Sequence, residues 1–367
     1  MKFTIHREDL IKPLALVSGV IERKHTMQVL SNILLLVQDG VLYLTGSDSE
    51  IELIAQVRPD HVEQEGSITV PARKLFEICK SLPDQSSITF QVENHRATFQ
   101  AGKARFTLTT LPASDFPKME VDNHSVDFSL PQASLRHLID RTGFAMAQQD
   151  VRYYLNGMLL EIEQQTLRAV ATDGHRLAMC KVSADTQQSE PCRAIVPRKG
   201  ILELARLLVE GDLPISLQLG TDYIRASTAG LVFTSRLVSG KFPEYQRVIP
   251  RGGDKTVTGD RQQLRNAFSR AAILSNEKIK GIRLSLQEDS VKIIASNPEQ
   301  EQAEDEVAVN FTGQAMDISF NVVYLLDVLS ALQGDMIKIT VADPNSSALL
   351  EDPEDSNVLY VIMPMHL

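Results

Sequence analysis

The segment Val70-Pro71-Ala72-Arg73-Lys74-Leu75-Phe76-Glu77-Ile78-Cys79-Lys80-Ser81-Leu82-Pro83-Asp84 is written into the chain three times. A second copy begins at Val196-Pro197-Arg198-Lys199, keeps apolar residues at Ile201, Leu204, Ala205 and Leu208, and closes at Gly211-Asp212. A third runs from Phe320-Asn321 through Leu325, Val328, Leu329 and Leu332 to Gly334-Asp335. The steps from Pro71 to Pro197 and from Pro197 to Asn321 are 126 and 124 residues. Each copy has a strand end, a Pro or Asn at the helix start, an apolar stripe at i, i+3, i+4 and i+7, and a turn, which predicts one short helix. Neighbouring features recur at the same step. Phe3 with Leu10, Phe128 with Leu135 and Val257 with Leu264 open three further helices. Asp48, Asp173 and Asn297 close three similar strands, and Phe116-Pro117 matches Phe242-Pro243. A period this long is a whole domain rather than a solenoid unit, so the chain consists of three tandem copies of one domain.

Within the first copy the pattern is strand, helix, then three strands, and it restarts at once. Phe3-Thr4-Ile5 leads into a helix over Glu8 to Val20, followed by strands at Ile33 to Val37, Val41 to Thr45 and Ile51 to Val57. The second half has Ser67 to Val70, a helix from Ala72 to Leu82, and strands near Ile88 to Val92, Ala97 to Gln100 and Arg105 to Thr110. The fold class expected is α+β, two helices laid on antiparallel sheet in each domain. Polar or Gly-rich breaks near Val121 to Ser125 and Pro250 to Asp254 place the domains at 1–124, 125–251 and 252–367.

With 43% apolar and 23% charged residues, the 367-residue chain has enough apolar material for three modest cores. No apolar run is long enough to span a bilayer. His6, Arg7, Glu8 and Asp9 stand where a signal peptide would need apolar residues, which predicts a cytoplasmic chain with no membrane partner. Cys79, Cys180 and Cys192 are odd in number and lack metal-ligand spacing, so they read as reduced thiols.

Asp173-Gly174-His175 raises a hydrolase reading, because an Asp, a His and a nearby hydroxyl or thiol can make a nucleophilic site. No G-x-S-x-G, P-loop or dinucleotide fingerprint accompanies it, and the eight His and three Cys suggest neither a metal nor a cofactor. The equivalence of Asp173 with Asp48 and Asn297 points first to a turn residue. On the residues alone a nucleic-acid ring, a protein-binding scaffold that forms no ring, and an enzyme all stay open.

Four longer strings narrow the choice: Val151-Arg152-Tyr153-Tyr154-Leu155-Asn156-Gly157-Met158, Ala171-Thr172-Asp173-Gly174-His175-Arg176-Leu177-Ala178, Arg270-Ala271-Ala272-Ile273-Leu274-Ser275-Asn276-Glu277-Lys278, and Val361-Ile362-Met363-Pro364-Met365. With these the whole chain resembles the bacterial replicative sliding clamps, the beta subunits of DNA polymerase III. The resemblance implies a non-catalytic processivity factor without cofactor or metal. It also implies a head-to-tail homodimer whose six domains close a ring on duplex DNA, helices inside and sheets outside. A net charge of -10 opposes a simple nucleic-acid coat. The basic residues nonetheless gather on the helices that would turn inward: Lys12, Arg73, Lys74, Lys80, Arg136, Arg141, Arg198, Lys199, Arg206, Arg265 and Arg270. With a screening length of about 8 Å, acidic charge across the sheet hardly cancels such a lining.

Residue by residue, the resemblance implies DNA contacts at Lys24, where Arg is the familiar residue, and at Gln149, Tyr153 and Tyr154. Arg73, Arg152, Arg198 and Lys199 join them. For ring closure, Lys74, Ile78, Leu82, Arg96, Lys103, Arg105, Phe106 and Leu108 of the first domain face Ile273, Leu274, Glu299, Glu301 and Glu304 of the partner's third. A pocket for short peptide motifs is implied at Leu155, Thr172, Gly174, His175, Arg176 and Leu177, with Pro243, Arg247 and Val248 beside them. Asn321, Tyr324, Ser347, Val361, Ile362, Met363, Pro364, Met365 and His366 complete it, His366 standing where Arg is familiar. Its implied users are the replicative polymerase alpha subunit, translesion polymerases, mismatch-repair proteins, ligase and an ATP-dependent clamp loader.

Overall fold

The computed structural model describes residues 1–22, 26–119 and 124–366. The first repeat runs β1 (Lys2–His6), α1 (Arg7–Val20), β2 (Asn32–Gln38), β3 (Val41–Ser47), β4 (Ile51–Val57), β5 (His61–Gln64), β6 (Gly66–Pro71), α2 (Ala72–Ser81), β7 (Ser87–Glu93), β8 (Arg96–Ala101) and β9 (Ala104–Thr109). The second runs β10 (His124–Pro131), α3 (Gln132–Thr142), β11 (Gly157–Thr172), β12 (Arg176–Pro197), α4 (Arg198–Leu207), β13 (Pro214–Gly220), β14 (Tyr223–Thr228) and β15 (Leu231–Arg236). The third runs β16 (Lys255–Asp260), α5 (Arg261–Ala272), β17 (Gly281–Gln287), β18 (Ser290–Ser296), β19 (Gln302–Ala308), β20 (Asn310–Thr312), β21 (Met316–Asn321), α6 (Val322–Ala331), β22 (Met336–Val341), β23 (Ala348–Asp352) and β24 (Asp355–Ile362). Strand, helix and three strands recur in the halves of the first and third repeats, as the spacing predicts, whereas in the second the strands between α3 and α4 are merged into the two long strands β11 and β12.

Two details depart from the repeat. The short strand β5 and its counterpart β20 were not expected. In the second repeat the counterpart of the Asp39-Gly40 turn lies inside β11, where the ladder with β12 shifts register on either side of Gln164. Gln164 has φ 51°, close to the 53° of Asp39 at the corresponding position of the first repeat, so both residues occupy the left-handed region. α2 stops at Ser81 because Leu82, which precedes Pro83, is forced into an extended conformation.

The chain divides into two compact units whose border cuts the second repeat: residues 1–132 with 202–237, and residues 133–201 with 238–367. The first unit holds sheets ordered β5-β1-β7-β8-β9 and β10-β13-β14-β15-β4-β3-β2-β6. The second holds β11-β12-β24-β23-β22-β16-β20 and β19-β18-β17-β21. In the first unit α1 lies so close to β3 that a Cβ on Gly46 would sit 2.8 Å from the Val17 side chain and carbonyl oxygen. The core there includes Phe3 stacked on Phe90 at 4.9 Å, with Phe99 edge-on to Phe90 at 4.6 Å. Burying such a side chain contributes roughly 1.5–3 kcal/mol.

The large sheets arise by one rule applied twice. In the first unit β15, the last strand of repeat two, pairs antiparallel with β4, the strand after the Asp48 turn of repeat one, from Leu231 opposite Ala55 to Ser235 opposite Ile51. In the second unit β24, the last strand of repeat three, pairs with the start of β12 in repeat two, from Arg176 opposite Ile362 to Cys180 opposite Val358. The strands equivalent to these partners, β9 and β19, each end their sheet as an edge.

Candidate functional site

In the second unit the β12–β24 junction builds an apolar hollow of about 340 Å³. Leu177 and Val361 stand directly opposite across the ladder, so both project from the same face. Leu155 comes from the single turn Tyr153–Leu155, and Pro243, Tyr245 and Val248 come from the linker that follows the second repeat. Thr172, Gly174, His175 and Arg176 form the rim, with Ser347 and Met363 closing it. Met363 is held by its amide donating to His175 O at 2.9 Å, and Met365 by its amide donating to Ser319 O at 2.8 Å.

The rim turn is specified by its own side chains. Asp173 Oδ1 accepts from the amides of His175 at 2.9 Å and Arg176 at 3.0 Å, while Oδ2 accepts from Arg176 Nε at 3.0 Å. Asp48 accepts from Glu50 and Ile51 amides at 2.9 and 2.7 Å in the first repeat, and Asn297 from the Glu301 amide at 2.9 Å in the third. Asp173 is therefore a turn-forming residue with both oxygens engaged, which removes it as the orienting acid of a hydrolase.

Several expected pocket residues lie elsewhere. Ile362 alternates to the opposite face of β24 and is fully buried. Asn321 caps α6 by accepting from the Val323 amide at 2.9 Å. Tyr324 reaches the site only through Arg176, whose guanidinium carbon is 4.4 Å from its ring centre. Arg247 lines a neighbouring hollow and pairs with Glu244 at 2.7 Å. Pro364, Met365 and His366 continue past the rim without lining the cavity.

The expected DNA-contacting residues occupy several different settings. Tyr154 and Arg152 line the pocket. Arg152 chelates Asp150, Nε to Oδ1 at 3.0 Å and Nη2 to Oδ2 at 2.9 Å, so its charge is largely matched. That pairing holds the Asp150 carboxyl down at about 2. Gly174, at φ 89°, leaves room for the guanidinium: a Cβ there would come within 2.8 Å of Arg152 Nη2. Tyr153 stays exposed at 58%, and Gln149 occupies the left-handed region at φ 58°. Arg73 is exposed but paired with Glu77 at 2.9 Å, Arg198 donates to Met146 O at 3.2 Å, and Lys199 is partly exposed. Lys24 lies outside the described residues. Of the basic helix residues Arg141 is buried at 6% exposure and cannot face a solvent channel, whereas Lys12, Lys74 and Lys80 are exposed.

The closure residues sit on both units. In the first, Lys74, Arg96, Lys103 and Arg105 are exposed and Ile78 and Phe106 half-buried, but Leu82 and Leu108 are already buried and have little area left to offer. In the second, Ile273 is 77% exposed and Leu274 half-buried. Glu304 pairs with Lys292 at 2.8 Å, Glu301 accepts from Asn297 Nδ2 at 2.6 Å, and Glu299 is exposed.

One element that sequence reading missed supports the pocket from beneath. Tyr245 donates its hydroxyl to Glu161 Oε2 at 3.2 Å, and buried Glu161 is matched by Arg168 at 2.7 Å and Arg193 at 3.3 Å. Burial raises the Tyr245 pKa, so the phenol stays a donor. The only signal for it was its place two residues after the repeated Phe-Pro pair. Among the described residues no cluster of three or more His, Cys, Asp or Glu could hold a metal, and no helix is long and apolar enough to cross a membrane.

Family models of the DNA polymerase III beta subunit match three successive stretches: the N-terminal domain at residues 1–120, the central domain at 129–244 and the C-terminal domain at 246–366. The chain is 56% identical over 367 residues to the beta sliding clamp of Pseudomonas putida KT2440 and 49% identical over 368 residues to that of Escherichia coli K12, covering all of each. The crystal structure of the DNA polymerase III subunit beta from Pseudomonas aeruginosa superimposes with a TM-score of 0.98 at 57% identity, over 100% of both chains. The three tandem domains, their strand order and these likenesses agree: the chain belongs to the DNA polymerase III beta subunit family, the bacterial sliding clamps.

Proposed function

We propose that two copies of this chain close head to tail into a ring around duplex DNA and tether the replicative polymerase to its template, conferring processivity without catalysis. The observation that carries this reading is that β9 and β19, the equivalents of strands paired with each other inside the chain, are both left as sheet edges. Both junctions inside the chain join the last strand of one repeat to the strand that follows the Asp48 or Asp173 turn of the repeat before it, and β19 is the strand that follows the equivalent Asn297 turn. The same rule applied once more pairs β9 with β19 of a second copy, and applied at both ends it closes the assembly.

The register follows from the internal junctions. Phe106, Phe233 and Tyr360 are equivalent, since they face Phe99, Ala226 and Leu350 across matching ladders. Leu53, Ala178 and Ala303 are likewise equivalent, facing Gly46, Ala171 and Ala295. Phe233 stands opposite Leu53 and Tyr360 opposite Ala178. Phe106 then stands opposite Ala303 of the second copy, which sets Arg105 against Glu304 and Lys103 against Glu306. Phe233 and Tyr360 are 1% and 0% exposed, whereas Phe106, lacking a strand beside it, is only half-buried. Apolar burial at Phe106, Ile78 and Ile273 would carry the affinity, and the charges would set register.

In this reading the helices line the hole, the domains divide at 1–124, 125–251 and 252–367, and exposed Lys12, Lys74, Lys80 and Tyr153 meet phosphates without reading bases. Arg73, Gln149, Arg152, Arg198, Lys199 and Lys24 complete that face. The apolar pocket takes short motifs of the polymerase alpha subunit, translesion polymerases, mismatch-repair proteins, ligase and an ATP-dependent loader. The protein works in the cytoplasm. The deciding measurement loads the protein onto nicked circular DNA with a matched ATP-dependent loader and then linearises the circle. Run-off at the ends is expected, and retention after cutting would overturn topological tethering.

A further inference from the structure

Beside the apolar pocket lies a second, larger hollow of about 730 Å³, bounded by the linker from Gln246 to Gly253 and by β22 and β23. The two hollows share Val248 and Ser347. A single row of cross-strand neighbours also runs between them: Leu177 opposite Val361, Val361 opposite Leu349, and Leu349 opposite Thr340. Directly opposite residues project from the same face, so this row connects the two hollows through one layer of the sheet, where Leu177 and Val361 pack in a cluster with Phe242, Tyr245 and Ile249 of the linker. Three strand spacings make it about 14 Å long. That is the reach of about four extended peptide residues.

The second hollow differs in chemistry from the first. Its charged lining is Arg247, Arg251 and Lys338 against Glu351. Lys338 and Glu351 face each other at 3.6 Å, and Arg247 is matched by Glu244 at 2.7 Å. Arg251 is exposed and has no carboxylate within 4.0 Å among the described residues. The hydroxyls of Thr340 and Ser347 add donors along the same wall, whereas Ser346 Oγ is engaged by donating to Asp343 Oδ2 at 2.6 Å. With the other cations matched, the Arg251 guanidinium is the charge this trough leaves open, on a chain of net charge -10, and it suits an anionic segment.

We propose that this trough is a second subsite for partner peptides, holding an acidic stretch that lies about four residues to one side of the apolar motif, with Arg251 as its main specificity determinant. The proposal rests on the reading of the first hollow as a peptide pocket. A peptide seated in the first hollow over Leu177 and Val361 passes Val248 and Ser347, which border both hollows, to come to the side of Arg251. Surface charge pairs of this kind tune selectivity and on-rate among partners that share one anchor.

The test uses the full-length protein and three labelled peptides: an apolar motif alone, and the same motif with a run of Asp and Glu placed four residues before or after it. Binding is followed by fluorescence anisotropy. One of the two acidic peptides is expected to bind about five- to tenfold more tightly than the bare motif, with the advantage shrinking between about 0.05 and 0.3 M salt. Arg251→Glu is expected to abolish that advantage and leave the bare motif unaffected. Equal affinity of all three peptides, with the bare motif binding, would overturn the second subsite alone. Failure of every peptide to bind would overturn the pocket reading and this proposal with it. Loss of loaded clamp from DNA in Arg251→Glu, with the peptide advantage intact, would assign the arginine to nucleic acid instead and overturn the proposal.

Discussion

The Arg176 guanidinium carbon lies 4.4 Å from the centre of the Tyr324 ring, and its nitrogens reach Asp327 at 2.5 Å, Asp173 at 3.0 Å and Phe144 O at 2.8 Å. One side chain from the pocket rim thus binds to α6 of the third repeat, to the rim turn and to the segment after α3. The third-copy helix, which carries no Lys or Arg, uses Asp327 to hold an arginine instead.

Replacing Arg176 leaves Asp173 and Asp327 without their fork. Arg176→Ala is expected to cost about 2–4 kcal/mol, because removing one partner of a largely buried ion pair strands the other. Arg176→Lys should recover only part of this, since an ammonium cannot span three acceptors in one plane. Urea titration followed by circular dichroism measures both variants, and a wild-type midpoint for Arg176→Ala would refute the bridging role.

Ring closure has its own test. Replacing Ile273, 77% exposed, together with Leu274 by Ala is expected to yield monomers in sedimentation velocity. Arg105→Glu should weaken the dimer and Glu304→Arg in the same chain should restore part of it, a compensation that arises only if the two strands meet in the stated register. An undiminished dimer in the apolar double variant would show that these side chains do not form the contact.

Glu52 on β4 is buried, accepts from the Met119 amide at 3.2 Å, and has its pKa raised by desolvation. A carboxyl whose folded pKa lies above the unfolded value contributes stability that is fully present below the unfolded pKa of about 4.3 and lost as pH rises through the folded one. Glu52→Gln, which mimics the neutral acid, is expected to raise the melting temperature at pH 7 and to make no difference at pH 3.5. Calorimetry at the two pH values reads this directly, and a lower melting temperature at pH 7 would contradict it.

Burial pushes the Cys79 and Cys180 thiols up to about 12. Thiolates are the reactive form, so neither is expected to be alkylated by iodoacetamide at pH 8 in the folded protein, and both should react at once in guanidinium. Peptide mapping by mass spectrometry distinguishes them from Cys192, which is only partly covered.

The threefold repeat, the two helices per domain and the turn role of Asp173 were all legible in the chain, because each depends on spacing within a few residues or on recurrence at a fixed step. Apolar periodicity dictates which face of a helix or strand is buried, and an Asx turn needs only its own backbone. Leu177 and Val361 could be placed at a pocket through resemblance. What was not legible depended on which groups meet across long separations. Arg141 reads as one more basic helix residue until the structure buries it. Arg152 reads as a free cation until the loop geometry lays it on Asp150. The pairing of β15 with β4 and of β24 with β12 joins residues more than a hundred positions apart, and the edges left at β9 and β19 follow only from those pairings. Local pattern determined the domain and its number of copies. Tertiary structure decided the junctions, the charges left unmatched and the hollow that continues past the pocket, since electrostatic matching and strand pairing are properties of neighbours in space.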